Sequence, residues 1–256
     1  MEPISPRQSD IVSIARQNGR VNVEQLAARF AVTPQTIRKD LNELCERGVL
    51  QRFHGGAAFA SGLVNFGYEA RRQLATEEKR RIGVHAASLI PDNCSILINI
   101  GTTTEQVAMA LRGRKGLMVI TNNVNVVSIL LGSPEIEVIV AGGVVRHADG
   151  GVVGEVAVDF IRQFKVDYAI VGASAIDEDG SLLDFDLREV KVAKAIMESA
   201  RRSILVADSM KYERTAPVRI GHISDLDHFV TDRPPPERIV AICREHEVAV
   251  DVAASA

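Results

Sequence analysis

Aromatic side chains are scarce in this sequence: tryptophan is absent, and phenylalanine, tryptophan and tyrosine together make up 4% of the 256 residues. A buried core must therefore be built mainly from valine, isoleucine, leucine and alanine. The hydrophobic share of 46% is ordinary for a globular protein. Aliphatic and β-branched composition of this kind favours buried strands.

Long apolar runs are also missing, since no stretch approaches the ~18 residues of a membrane span. Residues 1–19 lack the apolar centre of a secretory signal peptide. We therefore expect a cytoplasmic protein with no membrane contact. Cysteine is rare: Cys45, Cys94 and Cys243 are far apart and lack metal-ligand spacing, which predicts reduced packing residues and neither a disulfide, a metal site nor a cofactor.

A strong charge of either sign is missing too, because the formal net charge is only -3. Taken alone, this value argues against binding to nucleic acid. The distribution is uneven, however: residues 1–60 carry 8 Lys/Arg and 6 Asp/Glu, and the remainder carries 22 and 27. A mildly basic N-terminal segment on an acidic body is typical of a DNA-reading module joined to another domain.

Three helices are predicted in the N-terminal segment, over residues 5–19, 22–30 and 33–48. Asn22 precedes the second helix with the spacing of a capping box, and Thr33-Pro34 caps the third. At ~100° per residue, an inward Ile37 leaves the opposite side of the third helix polar. That side carries Gln35, Lys39 and Asn42, with Arg38 on its flank. Glutamine can pair with adenine, and arginine or lysine with guanine or phosphate.

A wing is predicted directly after the third helix. Residues 49–54 have the composition of a strand, Gly55-Gly56 supplies a hairpin turn, and residues 57–59 follow as the returning strand. Arg52 and His54 near the turn are candidates for contact with the DNA backbone or minor groove. His54 is equally well explained as a turn residue hydrogen-bonded to its own loop.

Residues 33–44 (TPQTIRKDLNEL), followed by residues 54–57 (HGGA), resemble the DeoR family of bacterial repressors. The resemblance implies a winged helix-turn-helix over residues 1–60. Lys39 stands where relatives often have arginine, which changes the donor geometry at one contact. The candidate DNA-binding residues are Thr33, Gln35, Thr36, Arg38, Lys39, Asn42, Arg52 and His54.

An α/β domain is predicted over residues 76–256, after a linker at residues 61–75. Apolar runs at 95–98, 117–120, 136–140, 168–171 and 203–206 alternate with helical patterns. Such continuous runs suit strands buried on both faces of a mostly parallel sheet. A last run at 229–231 precedes three prolines and a final helix.

Loops that follow parallel strands are the usual place for ligands. The loop after the first run opens a helix, where backbone N–H groups and the helix dipole favour an anion such as phosphate. Gly-Thr loops also serve as simple helix caps, so both interpretations stay open. Other loops add polar groups. The candidate effector-binding residues are Gly101, Thr102, Thr103, Thr104, Asn122, Asn123, Arg146 and Lys211.

The same loops extend the resemblance to the DeoR sensor domain over essentially the whole chain, including residues 141–143 (AGG) and Asp208. The resemblance implies a fold similar to ribose-5-phosphate isomerase and a phosphorylated polyol or sugar as inducer, with glycerol 3-phosphate favoured. Two departures are Asn99, where many relatives have aspartate, and Ala193, where they often have a basic residue. We accordingly expect a repressor that binds double-stranded operator DNA as a homo-oligomer, a dimer or tetramer.

Two other function classes remain to be weighed. A sugar-phosphate isomerase or hydrolase would use carboxylates and an amine, which the sequence offers at Asp177, Asp179, Asp184, Asp186, Glu189 and Lys194. A general base needs position as well as presence, and the same residues suit turn caps and a solvated helix face. A scaffold protein without a ligand would leave the Gly-Thr loop unexplained. The sequence therefore predicts a regulator and no catalytic residue.

Overall fold

The computed structural model describes residues 4–18, 20–53, 55–59 and 68–253. The chain divides into two compact units, Met1–Leu74 and Ala75–Ala256. Residues 61–67 of the predicted linker lie outside the described residues, so the predicted bounds of linker and domains remain predictions. Residues 68–74 belong to the first unit.

The N-terminal unit is a winged helix-turn-helix, as predicted. In its β-hairpin, Phe53 pairs with Gly56, and the strand Arg20–Asn22 pairs with the returning strand of that hairpin. Its elements are α1 (Pro6–Asn18), β1 (Arg20–Asn22), α2 (Val23–Phe30), α3 (Pro34–Glu46), β2 (Leu50–Phe53), β3 (Gly56–Phe59) and α4 (Tyr68–Gln73).

Side-chain caps and a tight turn fix the helices of this unit. Asn22 caps α2 by accepting from the Glu24 amide at 2.8 Å, and Thr33 caps α3 by accepting from the Thr36 amide at 3.2 Å. Between the two helices, Ala31 takes a left-handed conformation with φ 51°. The apolar stripes of the three helices meet in a common core. Its helical members include Ile11, Ala15, Val23, Leu26, Ala27, Ile37, Leu41 and Leu44.

The second unit alternates strands and helices. Its elements are α5 (Thr76–Ser88), β4 (Ser95–Ile98), α6 (Thr102–Leu111), β5 (Leu117–Thr121), α7 (Val124–Leu130), β6 (Ile136–Val140), β7 (Val144–Arg146), β8 (Gly151–Val153), α8 (Glu155–Ile161), β9 (Val166–Val171), β10 (Ala175–Ile176), β11 (Ser181–Asp184), α9 (Leu187–Glu198), β12 (Ala200–Val206), β13 (Val218–His222), β14 (His228–Thr231), α10 (Glu237–Glu245) and β15 (Ala249–Val252).

A parallel sheet of seven described strands forms the centre of this unit, in the order β15-β14-β12-β9-β4-β5-β6. Successive residues of a strand face opposite sides. Ile96 and Ile98 pack into a core with α5, α6 and α7, whereas Leu97 packs into a second core with α8, α9 and α10. Both faces of the sheet are therefore covered, which confirms the prediction of strands buried on two sides.

The order of connections reverses between β4 and β9. After β4 the chain passes through α6 to β5 on one side, and after β9 it passes through α9 to β12 on the other. In open parallel sheets, ligands bind in the crevice outside the carboxyl ends of strands at such a reversal. Residues 99–102, directly after β4, occupy this position.

Smaller sheets flank the main one: β7 pairs with β8, and β11 pairs with β10 and β13. The β7–β8 hairpin lies against the end of β5, since Val152 donates its amide to the Asn122 carbonyl oxygen at 2.7 Å. Among helices of the described residues, none combines the length and apolar composition that crossing a membrane requires.

Candidate DNA-binding face and effector site

The exposed face of α3 is the candidate DNA-binding face. Ile37, which is fully buried, holds the helix on the core, and the side chains on the opposite face point outward. Arg38 and Lys39 retain 49% and 80% side-chain exposure. Their ion pairs with carboxylates of the same unit are long, 3.6 and 4.0 Å, and such exposed pairs contribute little. The exposed polar residues are Gln35, Arg38, Lys39 and Asn42.

Thr33 and Thr36 have a capping role at the start of α3. The Thr33 hydroxyl accepts from the Thr36 amide, and the two hydroxyl oxygens lie 2.9 Å apart. The first-turn N–H groups of a helix favour an anion such as a DNA phosphate. In the structure, these two residues shape that turn.

A polar brace that sequence reasoning missed ties α1 to α3. Arg7 donates to both carboxylate oxygens of Asp40, at 2.6 and 3.2 Å, and this hydrogen bond outweighs burial in raising the pKa of Arg7. Gln8 donates to Asp40 at 3.4 Å and to Glu43 at 2.7 Å. Asp40 is only 5% exposed. The brace therefore fixes the orientation of α3.

The wing contributes one described candidate. Arg52 is exposed and donates from Nη1 to the Gly56 carbonyl oxygen at 3.1 Å, across the hairpin. His54 lies outside the described residues.

Gly101 and the first turn of α6 form the candidate anion site. Gly101 adopts φ 149°, a conformation that L side chains rarely adopt, and the helix begins with the next residue. Thr102 and Thr103 are 8% and 6% exposed. Thr104 is fully buried, and its hydroxyl donates to the carbonyl oxygens of Asn99 and Gly101 at 2.7 and 2.8 Å. Thr104 therefore holds the turn together from inside.

Asn122 and Asn123 are fully buried at the end of β5. Asn123 caps α7 by accepting from the Asn125 amide at 2.9 Å, and it donates to buried Glu105 at 3.2 Å. Asn122 donates to the Val152 carbonyl oxygen at 3.1 Å. Both side chains thus tie neighbouring segments to the carboxyl edge of the sheet.

Arg146 faces carboxylates. Its guanidinium donates to Asp149 at 2.6 and 2.9 Å, to Asp186 at 3.0 Å and to Glu189 at 2.5 Å. Burial would lower the pKa of Arg146, but the hydrogen bonds and charges of Asp149 and Glu189 raise it. Because Asp186 caps α9, the cluster attaches the β7–β8 hairpin to the start of that helix.

Lys211 lies in a 3-10 turn, Ser209–Glu213, that follows β12 and is capped by Asp208. This places it two strands from β4 in the sheet, also beyond a carboxyl end. Sequence reasoning missed Arg214, the next residue after the turn. Arg214 is 5% exposed, and its guanidinium carbon lies 5.9 Å from the centre of the Phe185 ring. Arg214 becomes a candidate because it is a buried cation at this edge of the sheet. Periodicity along the sequence does not show that it is buried.

The residues considered for catalysis have structural partners. Asp177, Asp179 and Asp184 each accept from a backbone amide one or two residues ahead, at 2.9, 2.8 and 2.6 Å. Lys194 is exposed on α9. Within the described residues, histidine, cysteine and acidic side chains form no group suited to hold a metal ion.

A winged helix-turn-helix joined to a parallel α/β domain, with a candidate anion site at the edge of its sheet, defines a DNA-binding regulator with a separate sensor domain. Comparison with protein families bears this out. Residues 7–62 match the DeoR-like helix-turn-helix domain, and residues 74–233 match the DeoR C terminal sensor domain. The chain belongs to the DeoR family and is a DNA-binding transcriptional repressor.

Individual relatives agree with this assignment. The chain is 44% identical to the glycerol-3-phosphate regulon repressor of Escherichia coli K12, over 96% of this chain and 98% of that protein. It is also 44% identical to the repressor of the same name from Haemophilus influenzae, over 95% and 94%. Among solved structures, ribose 5-phosphate isomerase A from Neisseria gonorrhoeae is 16% identical, with 53% of each chain covered and a TM-score of 0.39.

Proposed function

We propose that glycerol 3-phosphate, or a closely related phosphorylated polyol or sugar, binds the second unit and releases this repressor from its operator. The observation that carries the proposal is the first turn of α6, which begins at the strand reversal beside β4. Helix N-termini at this position suit a phosphate. The 44% identity to glycerol-3-phosphate regulon repressors supports the choice of effector.

The proposed effector site has two parts. Backbone N–H groups of Gly101, Thr102 and Thr103 surround the phosphate, and Lys211 supplies a cation from beyond the end of β12, two strands from β4. The other predicted effector-binding residues belong to the same site and also form bonds within the protein: Thr104 within the turn, Asn122 and Asn123 at the end of β5, and Arg146 between the β7–β8 hairpin and α9.

The proposed DNA contacts divide by chemistry. Gln35 and Asn42 present amide groups that can read base edges, whereas Arg38 and Lys39 can bind guanine or phosphate. Thr33 and Thr36 place the N-terminal turn of α3 against the DNA backbone. Arg52 and His54 contact the DNA backbone or minor groove from the wing. We infer a cytoplasmic homo-oligomer, a dimer or tetramer, because the DNA-binding units of two subunits can contact operator half-sites ~34 Å apart.

The proposal is tested with the full-length protein in two steps. Thermal shifts are measured with phosphorylated three- to six-carbon metabolites, and operator binding is then measured with and without each compound that stabilises the protein. Glycerol 3-phosphate should raise the melting temperature and weaken operator binding. If another phosphate alone does both, the effector is that compound; if none does, the effector proposal fails.

We infer that the chain is not an enzyme, since the carboxylates suited to catalysis cap turns. Incubating the purified protein with each candidate phosphate should yield no product by NMR. Turnover that survives purification, and is lost with Asp184→Asn, would establish the isomerase or hydrolase alternative.

A further inference from the structure

Asn99 is a buried carboxamide whose oxygen has no hydrogen-bond partner among the described residues. The side chain directly follows β4 and is 2% exposed. Its backbone amide donates to the Ile170 carbonyl oxygen at 3.0 Å, which continues the pairing of β4 with β9. Leaving a buried polar atom unpaired is unfavourable, because the atom has lost its hydrogen bonds to water and gained none in return. An uncompensated group of this kind at a strand end indicates a ligand that completes its hydrogen bonds.

Asn122 carries a second buried oxygen without a hydrogen-bond partner among the described residues. Ile98 pairs with Thr121 across β4 and β5, so the next residues, Asn99 and Asn122, are neighbours at the sheet edge. The Asn122 amide nitrogen donates to the Val152 carbonyl oxygen, and this bond fixes the orientation of the carboxamide. The group left over is therefore its oxygen, which is buried and unpaired in the described part of the chain.

Asn99 is also close to the turn proposed to bind phosphate. Asn99 is two residues before Gly101, so their Cα atoms are at most about 7 Å apart. The Thr104 hydroxyl connects the two, because it donates to the carbonyl oxygens of both residues. A single small molecule can therefore reach the first turn of α6 and the two carboxamides together.

The chemistry of the two oxygens restricts what they can bind. A carboxamide oxygen only accepts hydrogen bonds. A fully ionised phosphate offers no proton, so it is suited to the N–H groups of α6 and not to the unpaired oxygens of Asn99 and Asn122. A hydroxyl group donates one hydrogen bond and accepts others, which matches a buried carboxamide.

We propose that Asn99 and Asn122 bind a hydroxyl group on the carbon skeleton of the effector and thereby select a phosphorylated polyol over a plain alkyl phosphate. This inference rests on the proposed function, because it takes the phosphate to lie at the first turn of α6. Asn99 and Asn122 are then specificity-determining residues of the same site.

The test compares glycerol 3-phosphate with propyl phosphate, which has the same phosphate and chain length but lacks both hydroxyls. Affinities are measured by isothermal titration with the full chain. Wild type should prefer glycerol 3-phosphate by roughly 10-fold or more, since an unmatched buried polar group penalises the analogue. Asn99→Ala should reduce that preference toward unity, mainly by weakening glycerol 3-phosphate. Asn122→Ala should act in the same direction.

Two further variants separate recognition from folding. Asn99→Asp keeps an acceptor oxygen in the same place, so it should retain the preference even if both phosphates bind more weakly. Asn125→Ala removes a carboxamide whose donors are already satisfied by Glu105 and the Asp149 carbonyl oxygen, and it should also retain the preference. Melting curves without ligand show whether each variant is folded.

The possible results are distinguishable. An unchanged preference in Asn99→Ala, or equal weakening of both phosphates, overturns the hydroxyl assignment and leaves the proposed phosphate effector standing. If wild type binds neither phosphate, the proposed effector class fails, and the hydroxyl assignment fails with it.

Discussion

Gln35 and Lys39 share the exposed face of α3 but differ in what they can contribute to DNA binding. A glutamine amide can form two directed hydrogen bonds with an adenine edge, which depend on the base. A lysine ammonium is a point charge that attracts phosphate regardless of sequence. Exposure alone does not separate these roles, so the comparison must be made on specific and random DNA.

We predict that Gln35→Ala lowers the preference for operator over random duplex, by about 1–3 kcal/mol if it pairs with one base. Lys39→Ala should weaken both duplexes similarly and reduce the slope of log K against log salt by about 1 if it contacts a phosphate. The measurement is fluorescence anisotropy at several salt concentrations. Glu78, partly buried on α5 of the second unit, provides a control as Glu78→Ala. If Gln35→Ala and Lys39→Ala both bind DNA like wild type, the assignment of α3 as the DNA-binding helix is wrong.

Asp186 allows a prediction about pH. The Arg188 side chain, helped by its backbone amide and by Arg146, outweighs burial and lowers the pKa of Asp186 to about 2. A carboxylate whose pKa is lower in the folded state stabilises the fold above its unfolded pKa, and this contribution is lost as the pH falls through the folded value.

We predict that wild type exceeds Asp186→Asn in free energy of unfolding by a constant amount above about pH 4, the unfolded pKa of aspartate. The difference should shrink between about pH 4 and 2. Asparagine still caps a helix, so the comparison isolates the charge. Urea unfolding at matched pH values gives the result. A difference that does not change with pH would show that the ion pairs of Asp186 contribute nothing.

At the scale of elements, α5 and α6 approach closely because of Gly83. A Cβ atom at this position would lie 2.6 Å from the Gln106 carbonyl carbon, which belongs to the backbone of α6. A backbone atom cannot move aside as a flexible side chain can. Since α6 also carries the proposed phosphate turn, this contact bears on function as well as stability.

We predict that Gly83→Ala lowers the melting temperature and weakens effector binding, because the two helices must separate. Overpacking costs typically about 1–3 kcal/mol, which exceeds the gain of up to about 1 kcal/mol from replacing a helical glycine. Gly113→Ala is the matched control, since its Cβ would meet no heavy atom within 4 Å. Equal stability of the two variants would contradict the close-contact explanation.

At the scale of the whole molecule, release from DNA requires that effector and operator favour different states. A ligand with equal affinity for both states shifts nothing. Coupling between two sites is also reciprocal, so the factor by which effector weakens DNA binding equals the factor by which DNA weakens effector binding.

We predict that saturating glycerol 3-phosphate weakens operator binding by roughly 5- to 150-fold, corresponding to about 1–3 kcal/mol of coupling. Saturating operator DNA should weaken glycerol 3-phosphate by the same factor. Titrations of ligand into free and operator-bound protein provide the comparison, with a random duplex as control. Identical ligand affinity in both titrations would exclude this compound as an inducer, however tightly it binds.

The sequence alone determined the order and kind of most elements. Helical spacing and caps predicted α1, α2 and α3 and the outward face of α3, because these depend on residues a few positions apart. Apolar runs located β4, β5, β6, β9, β12 and β14, since strands buried on both faces need continuous apolar sequence. The Gly-Thr loop could be predicted because a turn that opens a helix depends only on neighbouring residues, as the helices do.

Tertiary structure alone decided which groups meet. Arg146 looked like a free cation after a strand, yet its partners Asp186 and Glu189 lie 40 and 43 residues further along the chain. In the sequence Asp40 is an ordinary charged residue of a helix. In the structure it accepts hydrogen bonds from Arg7 and Gln8, which lie 33 and 32 residues away along the chain. The short strand β15, only partly buried at a sheet edge, carried too weak an apolar pattern to detect. Hydrogen bonding and burial depend on distance in space, which periodicity along the chain does not encode.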